Sequence, residues 1–137
     1  MSAESVITIT IPAKPEYLVL CRLVLSGLSR TMEIEAETLA DLKLAVTEAC
    51  SNAVRHAYEN GDGTISVVYT FSEAGISLEI VDDGPGFEVP PAQPPQPFAL
   101  SEDGMGLSII RALVDELELG PRPNGRGSRV QFERRLP

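Results

Sequence analysis

Positive charge is what this sequence has little of: 11 Lys and Arg stand against 20 Asp and Glu in 137 residues, a formal charge of -9. That deficit argues against unspecific affinity for nucleic acid or an anionic membrane, and it favours a basic surface on any protein partner. Long apolar runs are also missing. The longest near the N-terminus, Tyr17 to Leu25, is interrupted by Arg22 and is much too short to span a bilayer. No charged leader with a cleavage site precedes it, so a cytoplasmic protein is expected. Cysteine is scarce. Cys21 and Cys50 are the two present; both sit in apolar helical stretches without metal-ligand spacing and read as reduced core residues. Neither the G-x-x-x-x-G-K-[ST] loop nor the G-x-G-x-x-G dinucleotide fingerprint occurs, which excludes two common phosphate-binding designs. No internal repeat is visible, and the length suits one domain with one core.

What is present is organised around Leu42 to Tyr58, L-K-L-A-V-T-E-A-C-S-N-A-V-R-H-A-Y. Leu39, Leu42, Val46, Ala49 and Ala53 recur at three- and four-residue steps and define one apolar helical stripe. Glu48, Asn52 and His56 repeat at i, i+4 and i+8 along the edge of that stripe, where a solvated helix would seldom place an acid and an amide. This row is read as one wall of a pocket.

Along the chain, Ser5 to Ile11 alternates as a half-buried strand ended by Pro12. Lys14 to about Met32 has helical spacing, with Pro15 in its first turn. The central helix spans roughly Glu35 to Tyr58 and ends before the turn Asn60-Gly61-Asp62-Gly63. Thr64 to Phe71 and Ile76 to Asp82 form a hairpin joined by Ser72-Glu73-Ala74-Gly75. Pro85, Pro90, Pro91, Pro94, Pro95 and Pro97 then exclude helix and sheet, and the segment of about 88–103 is expected to be a lid. A helix from Gly106 to Leu117 and a strand from Ser128 to Leu136 complete the chain. The first helix carries Leu18, Leu20, Leu23, Val24 and Leu25, more apolar surface than one core stripe requires, so a homodimer is expected.

Two glycine motifs flank these elements. Asp82 continues the inward face of Ile76, Leu78 and Ile80 and leads into D-D-G-P-G-F, where Gly84 and Gly86 permit close ligand approach. Gly104-Met105-Gly106-Leu107 leads into a helix whose free N-H groups and dipole suit phosphate. Each motif alone also fits an ordinary turn.

Their order is more specific. A helix with E-x-x-x-N, then D-x-G-x-G at a strand end, a Pro-rich loop, and G-x-G at a helix start resembles the GHKL superfamily of ATP-binding domains over nearly the whole chain. The wording E-A-C-S-N-A-V-R-H-A-Y is most similar to bacterial anti-sigma-factor serine kinases. The resemblance implies an α+β, two-layer sandwich in one domain over 1–137, with helices on one face of a mixed, mostly antiparallel sheet. It implies ATP and Mg²⁺ as cofactors, with Asn52 on the metal, Glu48 as general base and Asp82 accepting the adenine amino proton. Ser128 would complete the adenine contacts. Gly84, Gly86, Gly104, Met105, Gly106 and Leu107 would shape the pocket, with Arg55 and His56 as further contacts. The implied partners are a small anti-anti-sigma antagonist and a sigma factor, with no direct nucleic-acid or membrane binding. The alternative is a switch kinase, or a non-catalytic nucleotide-gated binding module, without sigma binding. One departure stands out, because Glu88 to Asp103 contains no Lys or Arg to neutralise a transferring phosphoryl group.

Overall fold

The computed structural model describes residues 4–57, 63–82, 102–121 and 128–136. Within them, alternation of Ile and Val with Thr and Ser makes β1 (Ser5–Pro12) and β2 (Thr64–Phe71). β3 (Gly75–Asp82), β4 (Glu116–Pro121) and β5 (Ser128–Arg135) complete a sheet of order β1-β2-β3-β5-β4. Every described ladder is antiparallel, so the expected parallel component is not found there. Ile65, Val67 and Tyr69 of β2, Ile76, Leu78 and Ile80 of β3, and Val130 and Phe132 of β5 are all buried, as period-two alternation requires of one covered face.

Helices α1 (Leu18–Leu28), α2 (Ala36–Ala57) and α3 (Glu102–Leu113) supply that cover. α1 buries Cys21, Leu25 and Leu28, and α2 buries Leu42, Ala45, Val46, Ala49, Cys50 and Ala53, both at helical intervals. α2 packs on β2, β3 and β5, with α1 and α3 against it. Leu107 and Ile110 of α3 join the same core. The layers are further tied where the Tyr69 hydroxyl of β2 donates to the Cys21 carbonyl of α1 at 2.7 Å.

Two helices differ from expectation at their ends. α1 is shorter than Lys14 to Met32: Pro15–Tyr17 forms a 3-10 turn before it, and Ser29 Oγ and Thr31 Oγ1 donate to the Ser26 and Leu28 carbonyls at its exit. Such side-chain bonds compete with the helical ladder. α3 begins four residues earlier than Gly106 and ends at Leu113, because Glu116, Leu117, Glu118 and Leu119 belong to β4. Leu117 and Leu119 face inward opposite Phe132 and Val130. Leu117 also continues the helical spacing of Ile110 and Leu113, so either period could claim it.

The apolar residues of α1 divide. Leu25 is buried and Leu18 and Val24 pack against the core, while Val19, Leu20 and Leu23 are exposed. At the other junction, Gly63 takes φ 118°, a conformation that favours glycine, and its carbonyl accepts from Ala13 N-H as the chain enters β2.

Candidate functional site

α2 and β3 run in the same direction. Glu35, next to the start of α2, lines one groove with Phe71, Ser72 and Glu73 at the start of the β3 hairpin. Asp41 of α2 also bonds Arg134, which pairs with Ile76 near the start of β3. From Glu35, Asn52 lies ~25 Å along the helix at ~1.5 Å per residue. Asp82 lies ~23 Å along β3 from Gly75 at ~3.3 Å per residue. The fold therefore carries Glu48, Asn52 and Asp82 to the same end of the molecule.

Their environments differ from those of ordinary surface polar groups. Asp82 is 2% exposed and is, with Thr38, one of two buried polar residues among those described. Its carboxylate sits where the inward face of β3 ends, opposite buried Ile65 on β2. Asn52 is partly buried on α2, and its side-chain Oδ1 is shielded from solvent and accepts no hydrogen bond among the described residues. Glu48 is also partly buried, one turn earlier on the same helical edge. An unsatisfied buried carbonyl oxygen costs about 1–3 kcal/mol.

Ser128 opens β5, and the pair Val81 with Arg129 puts it level with Asp82 one residue further along the ladder. Leu107 is buried on α3. Arg55 is exposed on α2, with its own interaction, so it does not enter the core. His56 lies on α2, but its side chain is outside the described residues, as are Gly84, Gly86 and the expected lid from residue 88 to residue 101.

The second glycine motif is corrected in one respect. Gly104, Met105 and Gly106 lie inside α3 and not in a loop before it. Glu102 and Asp103 are the first two residues of the helix. The first four N-H groups of a helix have no intrahelical partner. Within this helix they belong to residues 102–104, so Gly104 keeps a donor available for an anion while the Met105 and Gly106 N-H groups reach back along the helix. Ile65 is a neighbour of Asp82 that sequence reasoning missed, because strand register is invisible until the strands are paired.

An antiparallel sheet covered on one face by helices, with Asp82 buried at a strand end, has the architecture of a histidine kinase-like ATPase domain. Residues 11–133 match the histidine kinase-like ATPase domain family, and the chain belongs to it. Within that class its relatives are serine-protein kinases. It is 40% identical over 128 residues to the serine-protein kinase RsbW of Oceanobacillus iheyensis, covering 87% of this chain and 81% of that protein. Identity to the serine-protein kinases RsbW of Bacillus licheniformis and Listeria monocytogenes is 38%, over 79% and 82% of this chain and 73% and 78% of those proteins. Two solved structures share the fold. The RsbU and RsbW domains of a Mycobacterium tuberculosis protein superpose with a TM-score of 0.70 at 21% identity, over 96% of this chain and 32% of that one. The kinase domain of the blue-light activated histidine kinase of Erythrobacter litoralis EL346 gives 0.56 at 21%, over 92% of this chain and 62% of that one.

Proposed function

We propose that this chain is an ATP- and Mg²⁺-dependent serine kinase that phosphorylates a small antagonist protein, and that it sequesters a sigma factor when the antagonist is phosphorylated. The observation that carries the reading is the buried Oδ1 of Asn52, one turn from Glu48, with no hydrogen-bond partner among the described residues. A carbonyl oxygen is the donor type that a hard cation takes, so Asn52 fits the metal. When bound, the metal would neutralise charge on the transferring phosphoryl group. Glu48 then accepts the proton of the incoming serine hydroxyl, and its place on the helix edge holds it level with the metal ligand.

Asp82 accepts the adenine amino proton, with Ser128 beside it on the next strand. A carboxylate there selects adenine, since it cannot pair with the carbonyl oxygen of guanine. Gly84 and Gly86 let the nucleotide approach the backbone, and the Gly104 N-H faces its phosphates next to Met105, with Leu107 closing the apolar side and Gly106 allowing close approach. Arg55 and His56 are additional phosphate contacts. The segment 88–103 lacks Lys and Arg, which favours a partner supplying positive charge. That same lack is the one feature that suits the alternative, a nucleotide-gated module without transfer.

Incubation with labelled ATP, Mg²⁺ and candidate antagonist proteins tests the kinase reading directly. Phosphoserine on one partner is expected; ATP binding with no transfer to any partner would support the passive module. Val19, Leu20 and Leu23, 48%, 41% and 55% exposed on α1, support a homodimer. Light scattering at micromolar concentration should then give twice the chain mass, and a monomeric mass would remove the dimer from this reading. Among the described residues no helix is long and apolar enough to cross a membrane.

A further inference from the structure

Cys21 of α1 and Cys50 of α2 are 29 positions apart in sequence, yet their sulfurs lie 3.6 Å apart, both residues are fully buried, and both are free thiols. The Cys50 S-H donates to the Cys21 sulfur. That bond lowers the Cys21 pKa against the opposing effect of burial. The pair is thus asymmetric, with Cys21 the better nucleophile and Cys50 the thiol that follows. An S-S bond is ~2.05 Å long, so bonding these sulfurs requires only ~1.5 Å of approach.

The geometry points to Cys21 and Cys50 as an oxidation site: a dithiol that hydrogen peroxide converts to a disulfide between α1 and α2, displacing the turn of α2 that carries Glu48 and Asn52. This rests on the kinase reading only for its effect on nucleotide. Cys21 sulfur, as thiolate, attacks one peroxide oxygen; the O-O bond breaks, hydroxide leaves, and Cys21 becomes a sulfenic acid. Cys50 sulfur then attacks Cys21 sulfur, the S-O bond breaks, and the departing hydroxide takes the Cys50 proton as water. Two electrons pass from the thiols to the peroxide. Burial admits only a reagent near the size of water, through the local opening of a short helix, and so excludes bulky disulfides.

The movement falls on α2. The Tyr69 hydroxyl holds the Cys21 carbonyl at 2.7 Å and ties α1 to the sheet at that residue. Cys50, by contrast, lies midway between Glu48 and Asn52, so drawing it toward α1 turns both off the pocket edge. Oxidation is expected to weaken ATP binding by roughly 5- to 150-fold, the span of ordinary coupling between sites.

The test treats the folded chain with peroxide, maps disulfides by peptide mass without reduction, and follows hydrogen exchange over residues 45–55 and ATP affinity before and after. A Cys21-Cys50 peptide within one chain, altered exchange in α2, weaker ATP binding and full reversal by dithiothreitol are expected. Cys21→Ala, and separately Cys50→Ala in case either variant folds poorly, should abolish the response to peroxide. Thiol loss without that cross-link, a link between chains, a link that leaves both α2 exchange and ATP affinity unchanged, or the same response in the alanine variants would overturn the proposal. A reduced chain that bound no ATP would instead defeat the kinase reading, and the cross-link with α2 exchange would still decide this one.

Discussion

The two ends of the α2 and β3 pair treat their polar groups in opposite ways. Near the start of β3, Arg134 donates to Asp41 Oδ2 at 2.8 Å and also to the Leu113 carbonyl, joining α2, α3 and β5. Nearby, Asp115 Oδ2 accepts from the Arg135 N-H at 2.6 Å, and the Ser72 N-H bonds the Gly75 carbonyl across the hairpin turn at 3.0 Å. At the far end Asp82 is buried with an interaction of its own, and the Asn52 amide oxygen is buried with no partner among the described residues. A fold that satisfies its polar groups at one end and leaves a donor place open at the other separates stability from function along its length. Substitutions at the first end should change unfolding, and those at the second should change nucleotide chemistry.

The sharpest way to break that contrast lies within the functional end itself. Glu48 and Asn52 share an edge but not a role, so their alanine variants should diverge. Glu48→Ala should keep most ATP affinity and lose phosphoryl transfer by roughly 10²- to 10⁴-fold, the usual worth of a positioned base. Asn52→Ala should lose the Mg²⁺ dependence of ATP binding, and it should cost the apo protein little stability because the removed oxygen bonds nothing among the described residues. Normal transfer by Glu48→Ala would end its assignment as base.

Asp82→Asn comes next in size. The substitution keeps the side chain's shape but turns an acceptor into a group that offers N-H₂ to the adenine amino group. Losing a charge-assisted bond costs about 1.5–3 kcal/mol, or roughly 10- to 100-fold in ATP affinity. Calorimetry with ATP and GTP measures it, and an unchanged preference for ATP would move adenine recognition away from this strand.

The positions of all three residues were legible in the sequence. Glu48 and Asn52 stood out by helical spacing beside an apolar stripe, and Asp82 by continuing the inward alternation of Ile76, Leu78 and Ile80, because local periodicity dictates which face a residue occupies. The antiparallel hairpin was legible for the same reason. What stayed hidden was non-local or ambiguous. Leu117 satisfies both a helical and a strand period, so β4 merged with α3, and the acidic pair Glu102 and Asp103 was outweighed by two glycines at the helix start. The contact between Cys21 and Cys50 depends on how α1 lies against α2, which neither helix encodes alone, and both cysteines passed as plain core. The order of strands β3, β5 and β4, with the last strand inserted between earlier ones, is likewise a property of the assembled sheet.

The smallest expected effect belongs to the stabilising end and tests whether that end is separate at all. The Asp41 and Arg134 side chains are 24% and 22% exposed, so water screens their ion pair in part. Such pairs contribute about 0.2–1 kcal/mol. In Asp41→Asn the Arg134 guanidinium keeps the Leu113 carbonyl, and the new amide oxygen can still accept from it, so the loss should stay within that range and shrink at high salt. Urea unfolding at low and high ionic strength would show the midpoint difference from the unmutated chain narrowing with salt. ATP affinity of the folded variant should be unchanged, since Asp41 lies about three helical turns before Asn52 and outside the pocket edge. If this substitution instead weakened ATP binding as strongly as Asp82→Asn, the two ends would be coupled through α2, and the division of labour along the helix would not hold.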